Sequence, residues 1–205
     1  MRLVFAVSLG VMIASGVLIW TNKGSSGEWH FLTGTLEEIN KVTSDYDIVY
    51  ELIPAEGDAP RSFEHLAQIL LIDQGGEVRG AFLGGTSEEG DVIPPAFLAE
   101  KISTLLTGVG DPLGSAGPAS GFELTNQNGK RVKLSDFQGR VVVMTFFYTT
   151  CPVNFCPLLN ANLMQARDSL DEPLREKVVL LSITFDPEVD TPAVLKKYAK
   201  ERGFK

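Results

Sequence analysis

The chain has 205 residues, enough for one ordinary core or two small ones. Its net charge of −8, with no basic stripe to offset it, argues against nucleic acid as a partner. No GxSxG, HExxH or phosphate-binding glycine loop is present, so hydrolase and nucleotide chemistry have no support.

Leu3 to Trp20 is almost free of polar residues and follows a lone Arg2. The pattern is that of a membrane-spanning anchor or a signal peptide, with a buried N-terminal helix as the plain alternative. About 18 residues at 1.5 Å rise nearly cover a bilayer core, so residues 1–20 are read as an anchor or signal segment. With Arg2 on the cytoplasmic side, everything from Thr21 onward faces the periplasm or an equivalent oxidising compartment. Residues 21–27 form a Gly/Ser-rich tether.

A first module covers residues 28–107. Trp29 to Leu32 reads as a strand, and Thr35-Leu36-Glu37-Glu38 as a helix start leading through Ile39 and Val42 to about Tyr46. Ile48 to Ile53 is strand-like and Pro54 to Pro60 a loop. Ile69 to Ile72 and Val78 to Leu83, around Asp73-Gln74-Gly75-Gly76, predict a β-hairpin. Pro95 opens a helix with Phe97, Leu98, Ile102, Leu105 and Leu106 on its apolar face.

Residues 108–121, rich in Gly, Pro, Ser and Ala, read as a linker. The second module, residues 122–205, begins with a hairpin around Asn128-Gly129. Val141 to Tyr148 predicts a buried strand, the helix after Pro157 carries Leu159, Leu163, Ala166 and Leu170, and Val178 to Phe185 is a second buried strand. Asp190-Thr191-Pro192 starts a last helix. This module offers two parallel strands without antiparallel neighbours, whereas the first offers strands without a long central parallel pair. Neither is expected to fold well alone.

The only two cysteines, Cys151 and Cys156, sit where the first buried strand turns into a helix. A structural disulfide, two buried apolar thiols, or a redox or metal site would each account for them. Flanking prolines in a turn argue against inert apolar thiols and favour chemistry. Pro157 suits the first helical position, which puts Cys156 at a helix N-terminus and predicts a lowered thiol pKa. Two cysteines supply only two metal ligands, so a metal needs a third group from elsewhere.

Four separated motifs then carry a resemblance: Phe122-Glu123-Leu124-Thr125 with Asn128-Gly129-Lys130, Leu134 to Arg140, the turn from Cys151-Pro152 to Cys156-Pro157, and Asp186-Pro187-Glu188-Val189-Asp190-Thr191-Pro192. In these the second module resembles the Sco/SenC family of copper chaperones, which implies a thioredoxin-like mixed α/β sheet flanked by helices. Trp29 to Gly34, and His65 eight residues before Asp73, resemble the other half of the same fold, which in the family follows the cysteines. The order is that of a circular permutation, with residues 108–121 as the joint; roughly 14 residues reach up to about 45 Å, more than a small domain's diameter. A fragment of a tandem or misjoined protein, and a domain-swapped dimer, would give the same order.

The resemblance implies copper as the cofactor, held by Cys151, Cys156 and His65. Two thiolates and an imidazole suit Cu(I), and Cu(II) with an added ligand. The family has three residues between its cysteines, and this chain has four. The implied function is a membrane-anchored chaperone loading the binuclear copper site of cytochrome c oxidase, whose copper subunit would be the partner. A thiol-disulfide oxidoreductase using Cys151 and Cys156 on a thiol partner, and an incomplete fragment without activity of its own, are the alternatives. Whether the chain is an enzyme is left open. His30 reads as structural. Glu64 would fix the His65 tautomer or be a plain surface acid. Asp186 and Asp190 would shape the loop beside the cysteines or cap the last helix, with capping the expectation.

Overall fold

Two uninterrupted apolar runs, Val141–Phe147 and Val178–Thr184, organise the molecule. Every residue of both is buried, as expected of strands covered on two faces. The computed structural model describes residues 28–56, 61–83, 93–110, 112–151 and 155–204. In chain order the elements are β1 (Glu28–Thr33), α1 (Leu36–Asp45), β2 (Tyr50–Ile53), β3 (Ser62–His65), β4 (Gln68–Ile72), β5 (Val78–Leu83), α2 (Pro95–Thr107), β6 (Glu123–Asn126), β7 (Arg131–Lys133), β8 (Val141–Phe147), α3 (Phe155–Asp168), α4 (Glu172–Arg175), β9 (Val178–Thr184) and α5 (Pro192–Glu201).

Seven strands form one mixed sheet in the order β5-β4-β8-β9-β1-β6-β7. The central pairs β8–β9 and β9–β1 are parallel, and the outer pairs are antiparallel. Strands from residues 28–107 thus flank the β8–β9 pair on both sides. The antiparallel neighbours that the second module lacks come from the first, and one apolar core takes residues from both. Helix α2 packs against α3, and α5 against β1.

The buried hydroxyls inside β8 and β9 are hydrogen-bonded. Thr145 Oγ1 donates to the Gln68 carbonyl at 2.8 Å. Ser182 Oγ donates to Asn160 Oδ1 at 3.0 Å and accepts from Trp29 Nε1 at 3.1 Å. Such pairing offsets the desolvation that buried hydroxyls otherwise suffer.

Local chemistry sets the element ends. Thr35 and Glu38 complete a capping box at the start of α1, with each side chain bonded to the other's backbone N–H. Gly108 closes α2 in the left-handed region at φ 71°. Gly129, at φ 76°, makes the tight β6–β7 turn.

Three features differ from the sequence expectations. Part of the linker is bonded down: Ala116 N–H donates to the Val78 carbonyl, Val78 N–H to Gly117 and Ala119 N–H to Gly76, which fastens residues 116–119 along the β4–β5 hairpin. Strand β3 and the short α4 were not expected, because four residues are too few for either periodicity to show. Finally, among the described residues β2 and β3 pair with each other and not with the large sheet, forming a two-stranded hairpin. Residues 1–20, read as an anchor, and the tether at 21–27 lie outside the described residues. Among the described residues no helix is long and apolar enough to cross a membrane.

Candidate metal and thiol site

The cysteine turn leaves the C-terminal end of β8 and is held from the next strand crossing. Asp190, fully buried, accepts from Thr149 N–H at 3.0 Å, from the Thr149 hydroxyl, and from Thr184 Oγ1 at 2.5 Å. Burial pushes this carboxyl above its usual range, against the pull of the Thr149 and Thr184 hydrogen bonds. The capping expectation for Asp190 is therefore corrected: its carboxylate clamps the turn two residues before Cys151. The cap of α5 is Thr191, whose hydroxyl accepts from Val194 N–H at 3.4 Å. Asp186 does not cap either. It is buried and ion-paired with Arg61.

Cys151 is half-buried, Cys156 is buried, and neither is in a disulfide. They touch: a side-chain hydrogen bond to Cys151, with burial next, pushes the Cys156 thiol up. The expected lowering by the helix N-terminus is overturned. A dipole contributes little against the removal of water and a neighbouring sulfur that must take the negative charge first. Cys156 is the second residue of α3 rather than the one before it. Residues 152–154 of the longer inter-cysteine loop lie outside the described residues.

Tyr148 joins the two cysteines to the β2–β3 hairpin. Its hydroxyl accepts from Phe63 N–H at 3.3 Å and hydrogen-bonds Cys151. Burial first, with the nearby cysteines contributing, pushes the phenol up to about 12, so it remains a neutral donor. Phe63 stacks edge-on against Tyr148, with ring centroids 5.0 Å apart.

His65 ends β3. Its ring lies 4.6 Å from that of Phe185 and 6.1 Å from that of Tyr148, centroid to centroid. Burial lowers its pKa, opposed in part by the Leu66 backbone, which favours the neutral, ligand-competent imidazole. Its Nδ1 is buried with no hydrogen-bond partner. Glu64 therefore does not hold that nitrogen, because adjacent strand residues point to opposite faces and Glu64 is on the exposed one.

The structure brings the two cysteines together and sets His65 one aromatic ring away from them. Among the described residues, no three His, Cys, Asp or Glu side chains lie close enough to hold a metal ion at once. His30 is structural in its contacts: Nε2–H donates to Glu28 at 2.7 Å and Nδ1 accepts from Asn126 at 3.1 Å.

Arg61 was missed by sequence reasoning. It donates from Nε to Asp186 Oδ2 at 3.1 Å, from Nη2 to Asp186 Oδ1, and from Nη1 to Glu188 Oε2 at 2.9 Å. Only the acidic Asp186-Pro187-Glu188 motif hinted at a cationic neighbour, and nothing local pointed to residue 61.

Comparison with known proteins gives partial but consistent matches. The SCO1 protein homolog of Bacillus subtilis is 35% identical over 78 residues, covering 38% of this chain and 39% of that protein. Protein SCO1 homolog 1, mitochondrial, of Arabidopsis thaliana is 34% identical over 92 residues, covering 45% and 27%. A protein of Stutzerimonas stutzeri named as a putative copper-binding protein is 34% identical over 77 residues, covering 38% and 37%. The chain thus spans about two fifths or less of these relatives' lengths. No solved structure matches it significantly. The SCO1/SenC family profile matches residues 21–97 and 112–204, so it takes in both segments that build the sheet and both sides of the site. The chain belongs to the SCO1/SenC family.

Proposed function

We propose that this chain binds copper as cargo through Cys151, Cys156 and His65, and passes it to the binuclear copper site of cytochrome c oxidase. The observation that supports the reading is a pair of touching thiols outside any disulfide, with a buried imidazole one aromatic ring away whose Nδ1 lacks a hydrogen-bond partner. An orphaned buried nitrogen is costly unless something occupies it, and a soft ion fits a nitrogen and two sulfurs. Closing the set needs the β2–β3 hairpin to bring His65 past Tyr148 toward the cysteines. The name of the Stutzerimonas relative supports a copper reading in this family.

The accompanying proposals concern architecture and place. Residues 28–107 and 122–205 act as one thioredoxin-like domain in circularly permuted order, supported by their interleaving in a single sheet. Residues 3–20 hold that domain at a membrane facing the periplasm or an equivalent compartment, supported by a run almost free of polar residues.

A second reading is thiol-disulfide exchange, favoured by the direct contact between the two thiols. The half-exposed Cys151 thiolate attacks a partner's disulfide and forms a mixed disulfide, releasing one partner thiol. Cys156 then displaces the other, leaving a Cys151–Cys156 disulfide and a reduced partner.

A competitive Cu(I) titration of the reduced full chain, shown monomeric by light scattering, separates the readings. The copper reading expects one tight ion per monomer, weakened at least about tenfold, or about 1.4 kcal/mol, by His65→Ala. Binding indifferent to His65 would instead favour thiol exchange.

A further inference from the structure

The β2–β3 hairpin carries His65 but shares no backbone pairing with the large sheet. Its position therefore rests on side-chain ties. Among the described residues these are hydrogen bonds from Tyr50 to Asn40 at 2.6 Å, from Phe63 N–H to Tyr148 at 3.3 Å, and from Arg61 to Asp186 and Glu188, together with ring contacts of Tyr50, Phe63 and His65 on Phe185.

Arg61 is placed to matter most for His65. Residues 61, 63 and 65 alternate onto one face of the β3 segment. Phe63 and His65 meet the rings of Phe185 and Tyr148, and Arg61 grips Asp186, the residue directly after Phe185. The grip is a two-bond fork onto a carboxylate that is 2% exposed, a geometry that fixes direction as well as distance. Glu188 adds a third bond from the solvent side. A lysine would supply the charge without the fork.

We propose that Arg61 is a positioning residue: its forked ion pair with Asp186, extended to Glu188, sets the hairpin against the loop after β9 and so holds His65 over Phe185, beside the cysteine turn. The proposal rests on the copper reading insofar as it makes His65 a ligand. It adds that capture of the ion by the imidazole depends on a residue that touches neither copper nor sulfur.

Two measurements on the full chain test it. The protein has only two histidines, so ring-labelled histidine gives two imidazole signals in NMR spectra of the metal-free protein. His30, held by Glu28 and Asn126, is the internal control. Arg61→Ala is expected to shift or broaden the His65 signal and leave His30 in place, with Arg61→Lys restoring it only in part. Movement of both signals would mean a general loss of fold in Arg61→Ala, and Glu188→Gln, which spares the buried Asp186, then decides by shifting His65 alone or not. An unmoved His65 signal in the folded variants overturns the proposal.

The second measurement is the Cu(I) affinity of Arg61→Ala, His65→Ala and the double variant. Arg61→Ala is expected to weaken binding about tenfold with His65 present and less than about twofold without it. Equal losses in both backgrounds, or no loss in either, overturn it. If His65→Ala alone leaves affinity unchanged, the copper reading fails, while the imidazole signals still decide whether Arg61 positions His65.

Discussion

The cysteines and His65 sit on supports of opposite kinds. The cysteines follow β8, whose backbone is paired on both sides and whose seven residues are all buried, and their turn is clamped by a buried carboxylate. His65 ends a four-residue strand paired with one partner of equal length, and that partner is largely exposed. The difference teaches that the site has one half fixed by the sheet and one half fixed by side chains. On the copper reading proposed above, the half held by side chains is the one that would move as an ion is captured.

The largest expected effect tests whether the fixed half is also the stable half. Leu180→Ala, in fully buried β9, should cost about 2–5 kcal/mol, whereas Leu52→Ala on the exposed side of the hairpin should stay within about 0.5 kcal/mol. Urea denaturation of the two variants compares them, and equal costs would break the contrast.

Next comes the clamp. Asp190→Ala strips the acceptor from Thr149 N–H and from two hydroxyls, an expected loss of about 1–3 kcal/mol. Hydrogen exchange should quicken at the Thr149 amide and not at Phe63; a uniform rise across the chain would show that Asp190 serves the whole core rather than the turn.

Tyr148→Phe cuts a hydroxyl that ties Cys151 to the Phe63 amide, at an expected cost of about 0.5–1.5 kcal/mol. The Phe63 amide should lose protection while the β8 amides keep theirs. Unchanged exchange at Phe63 would sever the proposed link.

The smallest effect provides a yardstick for an exposed arginine–carboxylate pair. Arg131 bonds Glu38 at 2.8 Å near the surface, and this bond, with burial opposing and Thr35 assisting, lowers the Glu38 pKa from the ordinary 4.5. A carboxyl lowered in the folded state stabilises the fold above its unfolded pKa and loses that contribution as pH falls through the folded value. Glu38→Gln should therefore cost about 0.2–1 kcal/mol at pH 7, and the difference should close below about pH 4. A gap that persists in acid would assign the loss to the capping box rather than to charge.

Much of the sheet was legible because its signals are local. The β-branched and apolar runs at 141–148 and 178–185, Asn128-Gly129 and the Thr35 capping box each specify an element within a few residues. The need for antiparallel neighbours around β8 and β9 was also readable, since a parallel pair with nothing beside it leaves edges unpaired. What escaped were long-range pairings. Arg61 finds Asp186 across 125 positions, and Asp190 finds Thr149 across 41. The Cys156 thiol was misjudged because position at a helix end can be read from sequence, whereas burial and the approach of a second sulfur cannot. His65 was singled out by family resemblance alone, and its unpartnered Nδ1 became visible only once β3 was placed.

The interleaved strand order also governs how the chain reaches this fold. Strands β1, β4 and β5 leave the ribosome well before β8 and β9, which must lie between them. Until those last strands arrive, the early ones have no centre to pair with, so folding waits on contacts of long sequence separation and is expected to be slow. Newly made chains pass through a period with unpaired edges and exposed apolar strands, when a chaperone that shields them would raise the yield of folded protein.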